Sequence, residues 1–196
     1  MSLFTQPIYV LTLVIVLAIW ATPDVLDSIR KHPKGDTVVV RDGGSHNFFR
    51  LGLSAAIIAA ALLAYFQPQG TLPYHRPYLF VLGLVLALAG FALRRWAIRT
   101  LGRFFTVDVA TYTDQRVIDA PPYRRIRHPA YSGSILSLMG TTLMLGHWLG
   151  LLLVALAIVV TFGYRVRLEE RALLEALGQP YADYMGRTKR FVPYLW

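Results

Sequence analysis

The sequence predicts an all-α integral membrane protein with five transmembrane helices, its N-terminus outside and an amphipathic C-terminal extension on the cytoplasmic side. Three observations lead there. The chain is 55% hydrophobic and only 16% charged, against about 25% charged residues in soluble domains. Apolar stretches of near-span length recur along it. Its basic residues also fall almost wholly in alternate connecting segments. At 196 residues the chain forms one or at most two domains. We divide it into an N-terminal two-span region, 1–77, with its loop 24–48, and a region 78–196 that carries the polar motifs.

Residues 7–21, PIYVLTLVIVLAIWA, are uncharged and reach bilayer length with residues 3–6 and 22–23 added, since about 20 residues cross the hydrocarbon. Residues 24–48 are polar and turn-rich, with His32-Pro33, Lys34-Gly35-Asp36 and Asp42-Gly43-Gly44-Ser45. The TVVV run at 37–40 reads as a short strand or a membrane-surface contact. The second span, 49–66, is rich in small residues that suit close helix packing in lipid. A Pro/Gly-rich connection over 67–77 follows.

The third span runs from Tyr78 to Leu93 and continues as helix through RRWAIRTLG into the headgroup region. A polar segment, 102–131, leads to the fourth and fifth spans, 132–146 and 148–164. Only Gly146 and His147 separate these two, which predicts a tight helical hairpin. From Tyr164 the pattern turns amphipathic, with Leu168, Leu173, Leu174 and Leu177 recurring before Gly178 ends the helix. The tail 179–196 sets Tyr181, Tyr184, Phe191, Tyr194 and Trp196 among Arg187, Lys189 and Arg190, the composition of an interfacial anchor.

Charge orients this scheme. Nineteen of the 20 basic residues lie in the segments 22–50, 94–127 and 165–196, and Arg76 alone lies on the other side. By the positive-inside rule the basic side is cytoplasmic. The formal net charge of +9 could suggest nucleic acid, but topology already accounts for it, so no nucleic-acid partner is expected. The absence of cysteine excludes disulfides and thiolate metal sites. No basic n-region or small-residue cleavage site marks a removable leader.

Two polar clusters flank the predicted hairpin: Tyr123–Gly133, YRRIRHPAYSG, before its first helix, and Arg165–Glu170 after its second. The hairpin makes them neighbours. Arg127, His128, Tyr131, Arg165, Glu169 and Glu170 can then face one pocket near the headgroup plane. The same residues also fit a plain surface pair, Arg165 with Glu169 at i,i+4, worth about 0.5 kcal/mol, and arginines that snorkel to phosphates. Trp96, Phe104, Phe105, Tyr112 and Tyr123 fit either an adenine or lipid pocket or an interfacial belt, with the belt favoured for Trp96 and Phe104. There is no Gly-rich fingerprint, Walker sequence or HExxH, and His32, His46, His75 and His147 are scattered, so no metal site is expected.

The segments LGRFFT (101–106), QRVIDAPPYRRIRHPAYSG (115–133) and RVRLEERALLEALGQPYADYMGRTKRFVP (165–193) resemble the isoprenylcysteine carboxyl methyltransferases and their prokaryotic relatives, and RDGGS at 41–45 resembles a loop of the prokaryotic members. These share a fold region with the phospholipid methyltransferases. The resemblance implies S-adenosyl-L-methionine at the cytoplasmic face of what would be a prokaryotic inner (plasma) membrane. It implies cofactor contacts at Gln115, Arg116, Val117, Ile118, Tyr123, His128, Pro129, Ala130, Tyr131 and Glu169, and a catalytic pair in which Arg165 holds the acceptor carboxylate. Glu170 is the first candidate base should the acceptor be an amine. The sequence departs from the family's usual GPY at Pro121-Pro122-Tyr123, where a glycine conformation is not available.

The implied activity is methyl transfer to the carboxylate of a lipophilic, isoprenylcysteine-like substrate entering from the bilayer. The alternatives are a phospholipid or other amine N-methyltransferase, a nicotinamide-dependent membrane reductase, since RHPxY also resembles an element of sterol reductases, and an anionic-lipid-binding scaffold. The sequence assigns no oligomeric state.

Overall fold

The computed structural model describes residues 7–30, 38–40, 44–72 and 76–192. Most of the RDGGS loop, and the expected anchors Tyr194 and Trp196, lie outside the described residues. Among these are α1 (Pro7–Arg30), α2 (Ser45–Phe66), α3 (Arg76–Leu101), α4 (Pro129–Leu145), α5 (Trp148–Leu177) and α6 (Gln179–Arg187). A short strand β1 (Val38–Val40) pairs antiparallel with β2 (Ala110–Tyr112), Val39 opposite Thr111. TVVV is therefore in part a strand.

The expected five spans are corrected to three. Among the described residues only Ser45–Phe66, Pro77–Phe104 and Trp148–Leu177 are long and apolar enough to cross a membrane. The apolar part of α1, Pro7–Ala18, is too short for the roughly 30 Å of hydrocarbon. α4 has 17 residues, about 25 Å of helix. Eleven of those residues are buried, so α4 is apolar because protein surrounds it, and hydropathy alone cannot separate that case from a lipid-facing span. The loop alternation that set the N-terminus outside falls with the five-span count.

Backbone proximity holds α3 against α4. A Cβ on Gly90 would lie 2.4 Å from the Ser137 nitrogen, and one on Gly140 2.5 Å from the Ala87 nitrogen. Small residues let the main chains approach this closely, and the buried hydroxyls of Ser134, Thr141 and Thr142 are satisfied by carbonyls four residues back. Gly90→Ala is therefore expected to cost about 3 kcal/mol or more, since backbone cannot yield as a side chain does. Gly163, where an added Cβ meets nothing within 4 Å, is the control. Thermal unfolding of both alanine variants in detergent checks this, and equal melting would refute the packing account.

α2 runs antiparallel along α5. Ser45 meets Arg165, Phe49 stacks edge-on against Phe162 at 4.6 Å, and Ala60 lies opposite Gly150. At the far end the buried His147 ring accepts from Gly150 N–H at Nδ1, 3.3 Å, so Nε2 donates to the Gln67 carbonyl, 3.1 Å. This one side chain caps α5 and pins the turn after α2, which is why two residues suffice between α4 and α5. Ile58, Leu62, Val81, Val85, Leu156 and Val159 stay exposed on the outer faces of α2, α3 and α5, as lipid-facing surfaces require.

Candidate active site

The segment RHPAYSG divides its work along one helix start. His128 is the N-cap of α4 and Pro129 its first residue, where a fixed φ and a missing N–H carry no cost. Tyr131 follows inside the first turn. Gly133 then lets α4 touch α3, since a Cβ there would lie 2.6 Å from the Arg94 nitrogen. Upstream, the Pro121-Pro122 peptide is cis and Tyr123 N–H donates to the Ala120 carbonyl at 2.8 Å. A proline turn thus stands where the family's glycine would be.

This helix start faces a cavity of about 420 Å³ at the end of the bundle where α2, α4 and α6 begin and α3 and α5 end. Gln115, Arg116, Val117, Ile118, Tyr123, His128, Ala130, Tyr131, Arg165 and Glu169 all line it, while Pro129 and Glu170 do not. Pro129 shapes the helix start instead. Glu170 faces the other way.

Three of the lining side chains form a chain of hydrogen bonds. Tyr131 donates to Glu169 Oε2 at 2.6 Å, and Arg165 Nε donates to the Tyr131 hydroxyl at 3.0 Å. Arg165 is buried. It also donates from Nη1 to Ser45 Oγ at 3.0 Å and from Nη2 to the Val107 carbonyl, and its guanidinium lies 5.6 Å from the Phe49 ring centre. One side chain thereby ties α5 to α2, to α4 and to the segment before β2. Arg165 and Glu169 do share a helix face, but their link runs through Tyr131.

The Glu170 carboxylate is buried and surrounded by donors. Arg127 Nε lies 3.0 Å from it, Arg190 Nη2 2.8 Å and His128 Nε2 3.3 Å. It therefore does not fit the role of a base facing substrate. The pairing accounts for Arg127 and His128 in the basic run, and Arg127 also donates to the Met185 and Thr188 carbonyls, while Arg124 and Arg125 are exposed.

Several lining residues escaped sequence reasoning. Phe49, Leu53 and Ile57 on α2, Arg94 on α3, and the run Thr106–Thr111 all face the cavity. The α2 set repeats every four residues, a signal visible in the sequence yet indistinguishable there from a lipid-facing stripe. Phe104, expected in the belt, is buried and lines the cavity, whereas Trp96 is half exposed. Tyr181 and Tyr184, expected as interfacial anchors, are buried cavity residues. Burial, above all, pushes the phenols of Tyr123, Tyr181 and Tyr184 above their ordinary range, so each is a hydrogen-bonding hydroxyl at neutral pH. The Tyr184 hydroxyl accordingly donates to the Tyr123 carbonyl at 2.7 Å.

This donor set suits S-adenosylmethionine. The Glu169 carboxylate can pair with an ammonium, arginines can pair with a carboxylate, and Phe104, Phe105 and Tyr123 offer aromatic surface to an adenine. The volume lies within the range of about 300–1,000 Å³ of small-molecule sites.

The phospholipid methyltransferase family matches residues 78–180. A probable protein-S-isoprenylcysteine O-methyltransferase of Oryza sativa subsp. indica is 32% identical over 139 residues, covering 69% of this chain and 73% of that protein. The protein-S-isoprenylcysteine O-methyltransferase of Saccharomyces cerevisiae is 30% identical over 117 residues, covering 59% and 49%. A solved structure of the eukaryotic intramembrane Ras methyltransferase, an isoprenylcysteine carboxyl methyltransferase, superposes with a TM-score of 0.60 at 26% identity over 74% of this chain. The chain spans about half the length of that protein, 52%. Matched over more than half its length, the chain belongs to the phospholipid methyltransferase family, beside the isoprenylcysteine carboxyl methyltransferases, and is an integral membrane methyltransferase that uses S-adenosylmethionine.

Proposed function

We propose that the protein methylates the carboxylate of a lipophilic, isoprenylcysteine-like acceptor at the cytoplasmic face of its membrane. The observation that carries this is the position of Arg165 between two limbs of one cavity. On α5 the lining residues run from Arg165 to Leu177, about 18 Å along the helix. On α2 they run from His46 to Ile57, about 16 Å. The helices are antiparallel and Arg165 bonds to Ser45, so the two lining stretches lead away from Arg165 in opposite directions. The α5 limb carries Glu169, and we assign Tyr181 and the loop 115–118 to it as well. The other carries Phe49, Leu53 and Ile57 toward the membrane interior. A polar cofactor and an apolar tail fit the two limbs, with the reacting carboxylate at the arginine between them.

When bound, the cofactor's sulfonium supplies an electrophilic methyl group. In this proposal Glu169 holds the cofactor's ammonium, and His128, Tyr123 and the 115–118 loop hold its remaining polar and ring atoms. Arg165 binds the acceptor carboxylate with parallel charge-assisted bonds, aligning an oxygen with the methyl carbon while the surrounding apolar side chains exclude water. A carboxylate is already ionised at neutral pH, so no base is required.

An amine acceptor is disfavoured on two grounds. It would need a base, and Glu170 is turned away and fully engaged. The cavity wall also carries five arginines against two carboxylates, which repels a protonated amine. The catalytic parts belong to 78–196 in this proposal, and 1–77 supplies one wall through α2. The cytoplasmic side is supported by the crowding of Arg94, Arg95, Arg99, Arg124, Arg125, Arg167 and Arg171 at the cavity end of the bundle. A prokaryotic plasma membrane is supported only by the resemblance of 41–45 to a prokaryotic loop, since the named relatives are eukaryotic.

Detergent-purified protein should bind S-adenosylmethionine and its demethylated product in calorimetric titrations and not bind a reduced nicotinamide. A labelled-methyl assay should then mark a prenylcysteine analogue and not phosphatidylethanolamine. Labelling confined to the amine lipid would overturn the carboxylate assignment.

A further inference from the structure

The C-terminal segment after α6 does more than end the chain. Arg127 N–H donates to the Lys189 carbonyl at 2.7 Å, His128 N–H to the Arg190 carbonyl at 3.0 Å, and Lys189 N–H to the Arg125 carbonyl at 3.1 Å. Residues 125–128 and 189–190 thus pair as a short parallel bridge. Ser132 Oγ reaches the Phe191 carbonyl at 2.6 Å, and the Phe191 ring lies 6.2 Å from that of His128. Side chains repeat the link. Glu170 receives His128 at 3.3 Å and Arg127 at 3.0 Å on Oε1, while Arg190 reaches Oε2 at 2.8 Å and also Oε1 at 3.2 Å.

A carboxylate can only accept, so the His128 nitrogen facing Glu170 carries a proton. In the neutral ring the other nitrogen, Nδ1, is then an acceptor. The partner on one nitrogen of a histidine decides what the other can do. Arg190 holds Glu170 by two nitrogens, Nε and Nη2, and this pairing raises its own pKa further. Its side chain is 31% exposed while that of Glu170 is 6% exposed, so the strap closes over the buried pair from outside. Neither Arg190 nor Glu170 lines the cavity, but His128 does.

We propose that Arg190, acting through Glu170, is a positioning residue that fixes the ring of His128 as a hydrogen-bond acceptor for the methyl donor. This rests on the assignment of the cavity to S-adenosylmethionine. His128 stacks on Tyr131 at 5.6 Å, and Tyr131 donates to Glu169, so releasing the ring disturbs the donor limb first. The acceptor clamp Arg165 also touches the Tyr131 hydroxyl, but Ser45, the Val107 carbonyl and the Phe49 ring hold it independently of the strap.

The test compares Arg190→Ala and Arg190→Lys with wild type in detergent. The readouts are calorimetric binding of S-adenosylhomocysteine, the separate KM values for donor and prenylcysteine analogue, and the ring-nitrogen NMR shifts of His128. Arg190→Ala should weaken S-adenosylhomocysteine binding about tenfold, on the order of one hydrogen bond, and raise the donor KM alike. The acceptor KM should stay within about twofold, and the His128 signals should shift. Arg190→Lys should restore most of the affinity. Should Arg190→Ala fail to fold, Glu170→Gln is measured instead, since it keeps the side chain's size and removes its charge, and the same split is expected. Equal rises in both KM values, or unchanged product binding, would overturn the proposal. A wild-type protein that binds no S-adenosylhomocysteine would instead refute the cofactor site on which it rests.

Discussion

Replacing Arg165 with alanine is expected to lower kcat/KM for a prenylcysteine-type acceptor about 100-fold, near 2.7 kcal/mol, while product binding changes by less than about threefold. The asymmetry follows from its position between the two limbs of the cavity. Its guanidinium touches Tyr131, Ser45 and Val107; only Tyr131 borders the donor limb, and its bond to Glu169 survives the change. Removing it leaves the acceptor carboxylate without its planar, two-pronged partner. Arg165→Lys keeps the charge but not the fork, and should recover only part of the loss. Because the side chain is buried and bonded to three elements, both variants are to be compared for melting temperature. Initial rates with acceptor varied, beside calorimetry of S-adenosylhomocysteine, check the result. A loss confined to donor binding would reassign Arg165.

Glu169→Gln is expected to do the reverse. The amide can still accept from Tyr131, now at 2.6 Å from Oε2, but it no longer offers a charge to an ammonium. Hydrogen bonds to charged groups contribute about 1.5–3 kcal/mol, so donor affinity should fall about 10- to 100-fold with the acceptor KM little changed. Titration of S-adenosylmethionine into the variant reads this directly. Unchanged affinity would remove Glu169 from the cofactor limb. The pair of variants also separates two uses of one helix face, since Arg165 and Glu169 are a single turn apart on α5.

The site was legible wherever a local rule produced it. His128-Pro129 announces a helix start, and Tyr131 and Gly133 follow at fixed offsets from it. The two-residue turn at Gly146-His147 joins α4 to α5, so the Tyr123–Gly133 and Arg165–Glu170 clusters had to meet. The surroundings of Glu170 were not legible, although adjacent carboxylates on a helix point about 100° apart. If Glu169 faces a cavity, its neighbour faces elsewhere, and only the fold reveals that Arg127, His128 and Arg190 are waiting there. The α2 wall was missed because Phe49, Leu53 and Ile57 read equally as lipid-facing residues.

By itself, then, the sequence determined the membrane class, the α4–α5 hairpin and the residues of the motif, because hydrophobic content, helix capping and turn length act over a few neighbouring positions. Tertiary structure decided which apolar stretches are spans, which side of Glu170 meets its cations, and that α2 closes the cavity. Those outcomes depend on what packs against each face. An apolar residue is equally content against lipid or protein, so the choice appears only when Gly90 and Gly140 let α3 and α4 close on each other.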